Sequence, residues 1–148
     1  MYQNILVPID GSPTAGYGLR EAIKLARALG SRMRVVHVVT GAAWIDAESA
    51  AVPVGEILSR MHEYGESILE EAARIAESAG VTAFEPKLIE AFGQQASECI
   101  LEEARAWPAH LVICGTHGRR GLRRILLGSD AEHIVRSSAV PVLLVRGS

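Results

Sequence analysis

The chain has 148 residues, of which 49% are hydrophobic and 22% are charged, so it has enough apolar material for one folded domain. Its formal net charge of -2 gives no electrostatic reason to expect a surface that binds DNA or RNA. No apolar stretch approaches the roughly 20 residues of a membrane span, and the start of the chain lacks a basic leader region. We therefore expect a single cytoplasmic domain over residues 1–148, without nucleic-acid or membrane partners.

Five segments rich in β-branched and aliphatic residues predict strands. They are residues 5–9, 33–39, 82–89, 111–114 and 140–145. Four of these are near-continuous apolar runs, as expected for parallel strands that are covered on both faces. The third contains Glu85, Pro86 and Lys87, so we expect it at an edge of the sheet.

Amphipathic patterns predict helices between the strands. Apolar residues recur at helical spacing in 15–29, 54–75, 96–104 and 131–135. Ser12 is the expected N-cap of the first helix, Pro13 suits its first turn, and Gly30 follows its end. The order βαβαβαβαβ predicts an α/β fold, a single open doubly wound parallel sheet of five strands with helices on both faces. The segment from Thr40 to Pro53 is long for a connection in a compact domain, which is typical of a mobile or functional loop.

Glycines after the fourth strand indicate a phosphate site. Gly115-Thr116-His117-Gly118 directly follows the apolar run, and Gly128-Ser129 opens the last helix. A glycine lets the backbone approach a ligand closely, and a helix start offers free N–H groups and the positive end of its dipole. The alternative is that each glycine simply serves a turn.

The spacing Gly-x2-Gly-x9-Gly-Ser resembles the nucleotide signature of the universal stress protein family (UspA-like), in its ATP-binding branch. The resemblance also includes the opening residues 5–12, Val36-His37-Val38, and the closing run from Val140 to Val145. It implies the strand order 3-2-1-4-5, ATP or ADP with Mg²⁺ or Mn²⁺ bound between the first and fourth strands, and a homodimer.

The resemblance also implies a set of nucleotide-binding residues. Adenine would lie against Pro8, Ile9, Asp10 and Val38, while the ribose and phosphates would be held by Gly115, Thr116, His117, Gly118, Arg119, Gly128, Ser129, Asp130 and Ala131. Asp10 has three open roles: it caps the first turn, accepts from a ribose hydroxyl, or contacts Mg²⁺ through water.

Three features near the last helix and the glycine loop have more than one possible role. Ser129 and Glu132 have the spacing of a capping box, which is compatible with a phosphate contact. Asp130 suits the helix dipole but repels a triphosphate unless it points outward or a cation intervenes. Arg119, Arg120, Arg123 and Arg124 form either a solvated basic loop, a cover for the phosphates, or a binding site for an acidic partner.

The sequence offers little for catalysis. No Gly-x4-Gly-Lys-Ser/Thr P-loop is present, and the five histidines show no metal-binding spacing, so we expect no intrinsic metal site. Cys99 and Cys114 are expected to be buried free thiols.

The family resemblance and these patterns together leave three functions open. The first is an ATP-binding regulator of the stress response that acts as a dimer, with an unknown protein partner. The alternatives are a slow Mg²⁺-dependent ATPase and a nucleotide-free interaction module that uses the arginine loop. The final strand, Val140 to Val145, lies at the sheet edge in the 3-2-1-4-5 order, so we expect homodimerisation through it.

Overall fold

The computed structural model describes residues 1–40, 53–91, 93–116 and 127–147. Five strands form one sheet of order β3-β2-β1-β4-β5, and every neighbouring pair is parallel. The strands are β1 (Asn4–Pro8), β2 (Arg32–Thr40), β3 (Phe84–Ala91), β4 (Leu111–Thr116) and β5 (Val142–Arg146). The helices are α1 (Pro13–Leu29), α2 (Val54–Ser78), α3 (Ala96–Ala106) and α4 (Ser129–Ser137). The predicted α/β fold and strand order are confirmed, while residues 41–52 of the loop predicted from Thr40 to Pro53 lie outside the described residues.

Helices cover both faces of the sheet because successive strand side chains point to opposite sides. Ile5 and Val7 of β1 belong to an apolar cluster with residues of α1 and α2. Leu6, which lies between them, belongs to a second cluster with residues of α3 and α4. The central strands are therefore buried on both sides, as their continuous apolar sequences predicted.

The start of α1 follows the sequence signals. The Ser12 hydroxyl accepts a hydrogen bond from the N–H of Ala15 at 3.2 Å, and Pro13 occupies the first turn. Gly30 ends the helix in the left-handed conformation, with φ 65°. The Ser12 cap holds the beginning of α1 directly beyond the end of β1.

The last strand begins at Val142 rather than Val140. The Ser138 hydroxyl lies 2.8 Å from the carbonyl oxygen of Val140, to which it donates, and 3.2 Å from the N–H of Val140. These local bonds form a turn, so β5 pairs with β4 only from Val142 onward. β5 nevertheless lies at the sheet edge, as the strand order predicted.

The charged residues of β3 form ion pairs at the opposite edge. Glu85 pairs with Arg34 and, at 2.5 Å, with Arg32. Arg34 and Lys87 both bind Glu103 of α3 at 2.6 Å, and Glu103 is only 6% exposed. The hydrogen bond from Arg34 holds the pKa of Glu85 below its ordinary value.

None of the helices in the described ranges is long and apolar enough to cross a membrane.

Candidate functional site

A crevice opens at the carboxyl ends of β1 and β4, where the strand order reverses direction. Its volume among the described residues is about 130 Å³. The starts of α1, α3 and α4 all reach its wall, because each helix follows a strand that ends at this edge of the sheet. The sequence predicted a ligand site at this place.

Most of the predicted site residues line the crevice. They are Pro8, Ile9, Asp10, Val38, Gly115, Gly128, Asp130 and Ala131. Thr116 does not, because it is 1% exposed and its hydroxyl donates to the carbonyl of Val145 at 3.3 Å. Ser129 is exposed at the first position of α4 and is not part of the wall.

The central part of the predicted glycine loop lies outside the described residues. This applies to His117, Gly118 and Arg119, and to the arginines at 120, 123 and 124. Their roles remain predictions.

Backbone groups of β2 face the crevice at its β1 side. The N–H of Ile9 donates to the carbonyl of Val36 at 2.9 Å, and the β1–β2 ladder ends at the pair of Pro8 and Val36. In a parallel ladder, alternate residues direct both backbone groups to the same neighbour, so the N–H and C=O of Val38 point past the end of β1. A donor and an acceptor are thus presented side by side, a pattern that suits the edge of a heterocyclic base.

His37 supports this wall from behind. Its Nδ1 donates to the carbonyl of Ile9 at 2.9 Å, and the side chain is 8% exposed. A Cβ on Gly65 of α2 would lie 2.7 Å from the His37 ring, so α2 packs directly onto the imidazole. The structure therefore places His37 behind the crevice wall, between Ile9 and α2.

Among the residues that the structure describes, no side chain caps the start of α4. Gly128 is its N-cap residue, and no side-chain hydrogen bond caps this end. The predicted capping box is wrong, because Ser129 is already helical and the N–H of Glu132 donates to the carbonyl of Gly128 at 2.9 Å. The Glu132 carboxylate turns instead to Arg136 at 2.5 Å. The first turn of α4 therefore lacks the side-chain acceptor that would compete with an anion.

Two carboxylates lie in the wall, and each has a protein partner. Asp10 Oδ1 accepts from the N–H of Ser12 at 2.9 Å, which is the turn-capping role considered for it. Asp130 Oδ1 accepts from the N–H of Ser97 at 3.3 Å, so it is directed toward the start of α3. No lysine or arginine is among the described residues of the wall.

Gly115 is required by the fold itself. A Cβ at this position would overlap the carbonyl oxygen of Thr14, and one on Gly18 would lie 2.8 Å from the Gly115 nitrogen. The first turns of α1 therefore lie in direct contact with the end of β4. The sequence had assigned the glycine to ligand approach, but helix packing already accounts for it.

Several residues of the wall escaped the sequence reasoning. They are Ser12, Thr14, Ala15, Val36, Ala96, Ile100, Cys114 and Ile134. Ser12 and Thr14, whose hydroxyl oxygens are 3.0 Å apart, carried a usable signal, since both follow β1 directly. Burial raises the pKa of the Cys114 thiol to about 12, so this neighbour of Gly115 is an unreactive part of the wall.

Among the described residues, no three histidine, cysteine or acidic side chains are placed to hold a metal ion.

Comparison with known proteins identifies the family. The model of the universal stress protein family matches residues 1–146. A universal stress protein of Methanocaldococcus jannaschii is 32% identical over 148 residues, which cover 99% of this chain and 83% of that protein. The crystal structure of a protein of the family from Burkholderia pseudomallei has a TM-score of 0.78 and 29% identity, with 97% and 96% of the two chains covered. A universal stress protein from Archaeoglobus fulgidus in complex with dAMP has a TM-score of 0.66 and 23% identity, with 97% and 98% covered. The chain thus belongs to the universal stress protein family.

Proposed function

We propose that this protein is a cytoplasmic, ATP-binding regulator of the stress response that acts as a homodimer. The observation that carries the proposal is the crevice itself, which is lined by Val38 of β2 and, elsewhere in its wall, by Gly128 at the start of α4. The first suits the base of a nucleotide and the second suits its phosphates. The dAMP bound by the Archaeoglobus fulgidus relative supports a nucleotide as the ligand.

The charge of the wall favours a divalent cation with the nucleotide. The charged side chains among its described residues are Asp10 and Asp130, and both are acidic. A triphosphate beside two carboxylates needs compensating charge. Mg²⁺ or Mn²⁺ supplies it in this proposal, with the second oxygen of Asp10 reaching the ion through water or accepting from the ribose. Arg119 and the rest of the glycine loop would complete the phosphate site.

Regulation rather than rapid catalysis is the proposed role. The wall offers no lysine, and its histidine neighbour His37 is occupied by the carbonyl of Ile9. Besides a cation at the phosphates, fast phosphoryl transfer in P-loop enzymes uses a lysine and a group that orients the attacking water. We infer that ATP hydrolysis is absent or very slow, so that bound nucleotide acts by changing the affinity for a protein partner.

The dimer is proposed to form through β5. This strand is at the sheet edge, and Leu143 is 39% exposed on it. Val142 and Leu144 instead pack against the cluster of α3 and α4. An apolar edge strand is normally protected from uncontrolled pairing, and a two-fold contact with a second copy would provide that protection.

Identification of co-purified nucleotide tests the ligand. Freshly purified protein is denatured, and the released nucleotide is identified by chromatography and mass spectrometry; we expect ATP or ADP. Calorimetry with ATP and Mg²⁺ then compares wild type with Gly118→Val, which adds bulk where the backbone is expected to meet phosphate. Gly55→Val is the matched control, because nothing lies within 4 Å of an added Cβ there.

The outcomes separate the alternatives. Unchanged ATP affinity in folded Gly118→Val would remove the glycine loop from the site. Absence of any nucleotide binding by wild type would favour an interaction module. Turnover near the roughly 10 per second of a typical enzyme would make the protein an ATPase.

A further inference from the structure

Ser97 of α3 joins the two helices that border the phosphate side of the crevice. It is fully buried, with 0% of its surface exposed. Its N–H donates to Asp130 Oδ1 at 3.3 Å, and its hydroxyl lies 2.8 Å from His133 Nδ1. We call Ser97, Asp130 and His133 the Ser97 cluster.

The geometry of the cluster fixes how α4 is oriented. Asp130 and His133 are three residues apart, so they share one face of the helix and both meet the same residue of α3. The buried residue of α4 is Ile134, which is 2% exposed and belongs to an apolar cluster, whereas Asp130 is exposed and His133 is partly buried. Apolar contacts hold the helix in place without specifying direction, whereas two hydrogen bonds to one residue set its rotation.

The carboxylate of Asp130 serves the start of α3. Gln95 is the N-cap residue of α3 and makes no side-chain capping bond, so Asp130 provides an acceptor for this helix from α4. An anionic group is favourable at a helix N-terminus. Asp130 is thereby tied to α3 while its own helix starts at the crevice wall.

We propose that the Ser97 cluster positions the first turn of α4 for the phosphate end of the bound nucleotide. The inference rests on the proposed function, and it assigns Ser97, Asp130 and His133 as positioning residues. The cluster acts on the phosphate end alone, because the base end is built from β1 and β2, to which it makes no hydrogen bond. Loss of the cluster therefore weakens binding of ATP and spares binding of adenosine.

The test measures affinities for ATP with Mg²⁺ and for adenosine by calorimetry. Ser97→Ala and His133→Ala each remove the hydroxyl–imidazole hydrogen bond, whose loss corresponds to roughly three- to tenfold weaker ATP binding. His133→Asn places an amide near the position of Nδ1, so it should restore most of the ATP affinity. Val135→Ala is the control on the same helix, since Val135 is 44% exposed and outside the cluster.

The Asp130→Ala variant distinguishes a role of Asp130 in positioning α4 from electrostatic repulsion of the phosphates. Asp130→Ala should weaken ATP binding, because it removes the hydrogen bond from the Ser97 N–H, one of the two that join α3 and α4. If Asp130 instead acts by repelling phosphate, the same variant will bind ATP more tightly, and the proposal is overturned.

Two further results would overturn the proposal. One is an equal loss of ATP and adenosine affinity, which indicates general damage to the fold, and the other is no change in either affinity. If wild type binds neither ligand, the proposed function is wrong. Amide hydrogen exchange at the first turn of α4 then tests whether the Ser97 cluster positions this turn. Faster exchange there in Ser97→Ala than in Val135→Ala supports positioning, and equal exchange contradicts it.

Discussion

Alanine substitutions at Gly16 and Gly18 should change stability in opposite directions, although both residues lie in α1. Replacing a helical glycine by alanine stabilises a helix by about 0.8–1 kcal/mol. Nothing lies within 4 Å of a Cβ added to Gly16, so Gly16→Ala should show this gain. A Cβ on Gly18 would lie 2.8 Å from the nitrogen of Gly115 and 3.2 Å from the carbonyl carbon of Cys114. Both are backbone atoms, so α1 must move away from β4.

The difference between the two variants isolates this steric cost. The helix-propensity term is common to both, and forcing extra bulk into a packed contact costs about 1–3 kcal/mol. Gly18→Ala should therefore be less stable than Gly16→Ala by that amount, or by roughly 2–12 °C in Tm for a domain of this size. Urea unfolding with fitted slopes and thermal unfolding at pH 7 both measure it. Equal stability of the two variants would refute the direct contact between α1 and β4.

Three other predictions address the thiols, the β3 ion pairs and the dimer. Burial raises the pKa of Cys99 and raises that of Cys114 to about 12, so neither thiol should react with a disulfide reagent at pH 8 until urea unfolds the protein; rapid labelling of the native protein would contradict their burial. The pKa of Glu85 is held below its ordinary value of 4.5, so the ionised carboxylate stabilises the fold above that pH and this contribution is lost as the pH falls. Glu85→Gln should therefore lower the urea midpoint at pH 7, and its difference from wild type should shrink below about pH 4.5; a constant difference would exclude the ion pair as the cause. Leu143→Lys should give a folded monomer by light scattering, whereas Leu144→Lys should also lower stability because Leu144 packs against the core. A wild-type protein that is already monomeric at high micromolar concentration would refute the β5 dimer.

The sequence was sufficient for the order of elements and for the place of the crevice. Continuous apolar strands, the Ser12 cap and the αL position of Gly30 are local signals, and the structure confirms each of them. The place of the crevice between β1 and β4 depended in addition on the strand order 3-2-1-4-5, which the family resemblance implied.

The sequence was insufficient to predict the side-chain partners of the residues at the start of α4. Glu132 follows Ser129 at capping-box spacing, yet it binds Arg136, and the helix begins one residue earlier than a Ser129 cap requires. Asp130 appeared as a local charge at a phosphate site, but its partner is Ser97, 33 residues away. The contact between Asp130 and Ser97 depends on how α3 and α4 pack, and no short motif records it.

The three helix starts around the crevice show why the phosphate is proposed to lie at α4. Free N–H groups at a helix start need acceptors, and protein side chains can supply them before any ligand does. α1 receives its acceptor from the Ser12 hydroxyl, and α3 receives one from the Asp130 carboxylate. No side chain of the described ranges accepts a hydrogen bond from the start of α4, although this helix follows Gly128 in the wall of the same crevice. Since two of the three starts already have a side-chain acceptor, an anionic ligand is expected to gain most at the third. In our proposal, the orientation of this start depends on the Ser97 cluster. Asp130, which supplies the acceptor to α3, lies in the same turn of α4 that is proposed to hold the phosphate.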